Sequence, residues 1–261
     1  MLNNELWIDS FIVGALAMRC SVVTDLKTGD TVIIDGGSET DRIISWIEDF
    51  SGQGPDWSKG PSNFESMKSS GLSKRKVIAL VNTHAHFDHS GEIPYLLDRY
   101  HVSWYLHPED DYLQSLAQIS GQRWGFSLPT PAIADKQLED NMTLNLGSLT
   151  FEIYHTPGHT LGGCCLEVKI DDGPNHLFAG DTLFAGSVGR TDLPHSGGDF
   201  NLLANSVITK LWPLDLDTVV HPGHGPLTDI GVEKSTNPFV GVNSPISVSY
   251  THLTLPTNRE V

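Results

Sequence analysis

The chain has 261 residues and a formal net charge of −16 at pH 7, from 16 Lys and Arg against 32 Asp and Glu. A surface this acidic repels a phosphate backbone, which argues against a nucleic-acid partner, and no stretch reaches the length of a membrane span. With 39% hydrophobic residues and 25 Gly, the composition suits a globular α/β protein of one large domain or two small ones.

Three cysteines give no disulfide framework. Cys164 and Cys165 are neighbours in an apolar run and Cys20 lies in another, so they read as small buried hydrophobes. A cytoplasmic location fits this usage. The opening Met1-Leu2-Asn3-Asn4-Glu5 lacks the basic start and apolar run of a signal peptide.

Residues 11–35 alternate apolar and polar around Phe11-Ile12-Val13-Gly14, Cys20-Ser21-Val22-Val23 and Thr31-Val32-Ile33-Ile34, with Lys27-Thr28-Gly29-Asp30 as a hairpin turn. The third strand ends at Asp35-Gly36-Gly37-Ser38, and a helix follows over about 40–50 with Ile43, Ile44 and Ile47 on one face. Residues 51–73, rich in Ser, Gly, Lys and Pro, read as an inserted surface loop.

Val77-Ile78-Ala79-Leu80-Val81 reads as a buried strand, and a helix begins near Gly91. Between them stands Thr83-His84-Ala85-His86-Phe87-Asp88-His89-Ser90-Gly91. His84, His86, Asp88 and His89 each carry a nitrogen or oxygen that binds a divalent ion well. The cluster sits where a strand stops and the chain turns, a position from which a rigid scaffold presents functional groups.

Residues 102–106 read as a strand. His107-Pro108-Glu109-Asp110 reads as the start of a helix running to 119, its early acids matching the helix dipole. Residues 122–134 are irregular. Strands over 142–146 and 149–154 are joined by Gly147-Ser148, and the second runs into His155-Thr156-Pro157-Gly158-His159-Thr160. Residues 161–170 and 176–179 are further strands, the latter ending at Gly180-Asp181-Thr182. A helix over about 200–210 precedes a strand that ends at His221-Pro222-Gly223-His224-Gly225. Four separate strands therefore end in turns bearing His or Asp. Strands grouped in runs, with helices between them, favour two packed sheets covered by helices over a doubly wound parallel sheet.

The order H-x-H-x-D-H, T-P-G-H-T, G-D-T-L-F, P-G-H-G resembles the metallo-β-lactamase superfamily. Within it the chain is most similar to the glyoxalase II (hydroxyacylglutathione hydrolase) branch and its short, single-domain relatives. The resemblance implies an αβ/βα sandwich of two mixed sheets with helices on the outer faces, formed by residues 1–247. It implies one divalent ion held by His84, His86 and His159, a second held by Asp88, His89 and His224, and Asp181 as a bridge. Five imidazoles and two carboxylates suit zinc, with iron or manganese as alternatives.

The implied reaction is thioester hydrolysis. A hydroxide shared by the two ions and oriented by Asp88 attacks the carbonyl, releasing a thiol and a hydroxy acid. A thiolate leaves without protonation, so no general acid is demanded, and no G-x-S-x-G elbow offers a serine route. The implied substrate is a small-molecule thioester, glutathione-linked in that branch. Full-length glyoxalase II adds a C-terminal helical domain with basic glutathione-binding residues, and a tyrosine closely follows the last ligand histidine. Here Gly225-Pro226-Leu227 follows His224, so the identity of the thiol stays open.

Gly186-Ser187-Val188-Gly189-Arg190-Thr191-Asp192-Leu193 resembles the family's substrate-side loop. Arg190 reads equally as a receptor for a substrate carboxylate and as an ion-pair arginine, and His195 as a further substrate contact. His221 is the spare ligand candidate and His155 an orienting residue. His101, His107 and His176 read as ordinary surface or core residues. Two alternatives share the motifs: a mononuclear iron persulfide dioxygenase and a lactonase. Residues 248–261 resemble translated sequencing-adapter read-through and are read as a non-native tail.

Overall fold

Successive side chains of a strand face opposite sides, and the apolar runs of this chain fill both. In the computed structural model, which describes residues 6–48, 71–171 and 173–245, the first sheet runs in chain order. It comprises β1 (Leu6–Val13), β2 (Met18–Asp25), β3 (Asp30–Ile34), β4 (Lys76–Val81), β5 (Ser103–Leu106) and β6 (Lys136–Gln137). β1, β2 and β3 pair antiparallel, and β3 to β6 pair parallel.

The second sheet takes β7 (Thr143–Leu146), β8 (Leu149–His155), β9 (Cys164–Val168) and β10 (His176–Gly180). After a ribbon of β11 (Leu183–Phe184) and β12 (Ser187–Val188), β13 (Val219–Pro222) and β14 (Thr228–Asp229) complete it. β10 and β13 run parallel and the other neighbours antiparallel. Both sheets are mixed.

Alternation sorts the core into layers. Val32, Ile34, Ala79 and Val81 of the first sheet meet Phe151, Ile153, Leu166 and Phe178 of the second. Their neighbours Ile33 and Leu80 point outward, against α1 (Thr40–Glu48), α2 (Phe87–Ser90) and α3 (Ile93–Tyr100), where they pack with Ile43, Trp46, Ile93 and Leu96. Phe11 stacks on Trp46 with ring centroids 4.1 Å apart. Cys164 faces the inter-sheet core, whereas Cys165 faces the opposite layer. The expectation of small buried cysteines holds, and all three are free thiols. Helices α4 (Asp111–Ser115) and α5 (Ala117–Arg123) extend the first outer layer, with Leu113 in its core. Helices α6 (Phe200–Ser206) and α7 (Ile230–Thr236) cover the second sheet through Ala204 and Ile230. The result is the expected αβ/βα sandwich, in which each fully buried Leu, Ile or Phe contributes about 1.5–3 kcal/mol.

Several elements depart from the sequence reading. The single helix expected over 107–119 is a 3₁₀ turn, Pro108–Asp110, followed by α4 and α5, and it reaches Arg123. The strand expected from 161 begins at Cys164, because the Leu161 N–H donates to the Ser196 carbonyl and the Gly162 N–H to the Asp110 carboxylate. The helix expected over 200–210 becomes a π-helical turn, Val207–Leu211, after α6. The β11–β12 ribbon, β14 and α7 were not expected. The tail 248–261 and residues 51–70 of the proposed insertion lie outside the described residues. Among the described residues no helix is long and apolar enough to cross a membrane.

Candidate metal centre

The sandwich gathers the four His- and Asp-bearing turns at one edge. β4 ends at Val81, and Asp35, which ends β3 with a φ of 57°, receives the residues that follow. Its carboxylate accepts hydrogen bonds from the Thr83 N–H (2.8 Å), the Thr83 hydroxyl (2.7 Å) and the His89 Nδ1–H (3.0 Å). Asn82 donates to the His89 carbonyl (2.7 Å) and accepts from the Trp104 indole (3.0 Å). These bonds set the exit of β4 against α2, so Asp88 and His89 sit on a helical turn rather than on the plain turn expected.

The imidazoles are anchored one by one. A carbonyl only accepts, so the proton of His159 lies on Nδ1, which donates to the Arg190 carbonyl (2.6 Å). His224 Nδ1 donates likewise to the Leu16 carbonyl (3.0 Å), and His84 Nδ1 lies 3.1 Å from the Thr83 hydroxyl. Such outer contacts orient a ligating imidazole and select its tautomer. The inward atoms then converge. His159 Nε2 stands 2.9 Å from His86 Nδ1 and 3.4 Å from Asp181 Oδ2. His89 Nε2 is 3.4 Å from Asp181 Oδ1, and His224 Nε2 is 3.3 Å from Asp88 Oδ2. Three overlapping sets result, each with ligand atoms within 4.8 Å of one another: His84, His86, His159; His84, His89, Asp181; and Asp88, His89, His224.

A metal fits this arrangement on the chemistry of the donors. His84 Nε2, His89 Nε2 and Asp181 Oδ1, which face the cluster, are buried without a hydrogen-bond partner. An unsatisfied buried polar atom costs about 1–3 kcal/mol, and a shared cation satisfies several at once. The charges agree. Burial pushes His84 well below its ordinary pKa, and pushes His86 down to about 3, so both offer neutral lone pairs. Burial also opposes the charge on His89, but the carboxylates of Asp88, Asp181 and Asp35 outweigh it and hold His89 well above the ordinary value. Asp181 stays well below the usual carboxylate range, because the imidazoles of His89, His159 and His84 overcome its burial. A proton and a divalent ion compete for the same surplus of negative charge.

A fourth grouping, His107, Glu109 and His155, meets the same 4.8 Å spacing, but its carboxylate, Glu109, is exposed to solvent. The two rings stack 3.9 Å apart at 13°, so their lone pairs lie in nearly parallel planes. His155 Nε2 donates to the Leu161 carbonyl (2.8 Å) and steadies the loop beyond His159. His221, the spare ligand candidate, turns away from the cluster: its Nε2 lies 2.8 Å from His176 Nδ1.

A cavity of about 490 Å³ opens over the cluster, bordered by His86, Asp88, His159, Asp181 and His224. Leu16, Phe87, Leu113, Trp124, Phe184 and Leu193 make its walls apolar, and Arg190 and His195 both line it. The Arg190 guanidinium is held by Asp192 through two hydrogen bonds of 2.8 and 3.0 Å, so the ion-pair role coexists with a place on the cavity rim. Sequence reasoning missed Arg123 and Trp124, which also line the cavity. They lie at the end of a helix expected to stop at 119, and no local pattern marks them.

An αβ/βα sandwich with clustered His and Asp side chains at one edge defines a class of metal-binding hydrolase folds. The chain belongs to the metallo-β-lactamase superfamily, whose family model matches residues 15–224. It is 33% identical over 239 residues to hydroxyacylglutathione hydrolase GloC of Haemophilus influenzae, covering 91% of this chain and 99% of that protein. Among solved structures it resembles BLEG-1 B3 metallo-β-lactamase (31% identity, TM-score 0.72, 90% of this chain and 99% of that one). It also resembles TTHA1623 in a di-iron-bound form (33% identity, TM-score 0.67, 88% and 98%). Membership implies divalent metal ions.

Proposed function

We propose that the protein is a dinuclear metal-dependent thioester hydrolase of the hydroxyacylglutathione hydrolase kind, acting on a small-molecule thioester. The observation that carries this reading is the convergence of seven side chains whose outward atoms are largely tied to fixed partners. In it His84, His86 and His159 would hold one ion and Asp88, His89 and His224 a second, with Asp181 available to both. When bound, two such ions supply a water of near-neutral pKa and polarise a carbonyl.

The chain's own residues do the rest. Asp88 accepts a hydrogen bond from the attacking water and orients it. The apolar cavity walls take the body of the substrate and exclude bulk water, and Arg123 and Arg190 attract an anionic end. The departing thiolate needs no proton, which suits a cavity that, among the described residues, neither Lys nor Tyr lines. Similarity to GloC supports the thioester assignment. Zinc suits the donor set, and the di-iron form of TTHA1623 makes iron its main competitor. We read residues 1–247 as one domain, residues 248–261 as foreign to it, and the free buried cysteines as those of a cytoplasmic protein.

The test is steady-state hydrolysis of S-D-lactoylglutathione by protein as purified, with a chelated control. The reading expects kcat/KM above about 10⁴ M⁻¹s⁻¹, lost on chelation. A rate equal to the chelated control sinks the substrate assignment, and oxygen uptake with glutathione persulfide would then favour the dioxygenase alternative.

A further inference from the structure

Outside the cluster, one buried carboxylate joins the loops that carry it. Asp110 is 1% exposed and occupies the N-cap position of α4, yet its side chain makes no cap hydrogen bond. Instead one oxygen accepts from the Ala85 N–H (2.8 Å), which lies between His84 and His86, and from the Thr160 hydroxyl (3.0 Å), next to His159. The other oxygen accepts from the Gly162 N–H (2.7 Å). The fit is close enough that a Cβ on Gly162 would stand 2.8 Å from the Asp110 side chain. The same residue leads into α4 and α5, whose Leu113, Ala117 and Arg123 line the cavity.

We propose that Asp110 is a positioning residue for the first metal set. It fixes the span between the loop bearing His84 and His86 and the loop bearing His159, so that three nitrogens stay converged. This rests on reading the cluster as a metal site. The second set has other anchors, since His89 is held by Asp35 and Asn82 and His224 by the Leu16 carbonyl. Loss of Asp110 therefore acts on one set only. Asp110→Asn keeps the shape but turns an amide N–H₂ toward a hydrogen-bond donor, on one side or the other.

The test is chelator-competition titration of metal-depleted, full-length protein with Zn²⁺ in two backgrounds. His224→Ala leaves the first set intact, and His159→Ala leaves the second. Asp110→Asn is expected to weaken Zn²⁺ binding at least tenfold in the His224→Ala background, and by less than twofold in the His159→Ala background. Equal affinity with and without Asp110 in the first background overturns the proposal. So does an equal loss in both backgrounds, which marks a general structural role. Should Asp110→Asn not fold, Thr160→Val removes one of the three donors, and a severalfold loss confined to the first set is the expected result. Wild-type protein that binds no Zn²⁺ sinks the proposed function and this positioning role together. Wild-type protein that binds two ions, with Asp110→Asn indistinguishable from it, sinks the positioning role alone.

Discussion

Gly223 lies so close to Asp181 that a Cβ placed on it would stand 2.2 Å from Asp181 Oδ1, and 2.7 Å from the His89 ring. The glycine cannot retreat, because its N–H donates to the Gly180 carbonyl and its own carbonyl accepts from Arg19, both at 2.7 Å. Gly223→Ala is therefore expected to displace the Asp181 carboxylate. Elemental analysis should show fewer than two ions per chain, and kcat/KM should fall about 100-fold, the usual penalty for an ångström-scale misplacement. An alanine variant with wild-type metal content would contradict this packing account.

Asp35 does not line the cavity over the cluster, yet its carboxylate serves Thr83 twice and His89 and Asn82 once each. Asp35→Asn leaves one buried donor facing another, at a cost of about 1–3 kcal/mol in urea denaturation. Because His89 loses the partner of its Nδ1–H, metal affinity should fall about 10–100-fold as well. A stability loss with unchanged metal affinity would assign Asp35 to the fold alone.

Away from the cluster, burial lowers His221 to about 3, with help from His176 and Arg19. Such a histidine stays neutral in the fold and takes up a proton once the chain unfolds. The unfolded state then binds more protons below pH 6.5, so stability falls as pH drops from about 6.5 toward about 3. The slope is about 1.4 kcal/mol per pH unit for each such histidine. Urea denaturation of metal-free protein at pH 7, 6, 5 and 4 measures it, and His221→Asn should flatten the curve by one histidine's share.

Arg123 has no ion pair among the described residues, whereas Arg190 is engaged by Asp192. For a thioester with a carboxylate end, Arg123→Gln should raise KM severalfold and leave kcat nearly unchanged, the signature of uniform binding lost. Arg190→Gln should do less. A neutral thioester should not distinguish the variants, and a kcat effect would place Arg123 in the chemistry instead.

Much of this was legible before any coordinates. The unbroken apolar runs Val32-Ile33-Ile34 and Ala79-Leu80-Val81 report strands, and also that both faces are buried. His84 to His89, His159, Asp181 and His224 stand out because each follows a strand, and a strand end is a local signal. Asp110 does stand at a helix start, as the early acids implied, but its carboxylate reaches to other loops, and in sequence an acid that caps a helix looks the same as one that reaches away. His107, read from sequence as an ordinary residue, and His155, read as an orienting one, stack as rings in space.

By itself, then, the sequence determined the longer strands, their turns and the side chains capable of binding metal, since these depend on period and on residue type. The tertiary structure alone decided which atom of each side chain faces inward. His224 is oriented by the Leu16 carbonyl, 208 residues away, and His159 by the carbonyl of Arg190 rather than by its guanidinium. A backbone carbonyl is common to every residue, so its role in orienting an imidazole leaves no mark in the chain's composition or spacing. Only packing the two sheets brings it within reach.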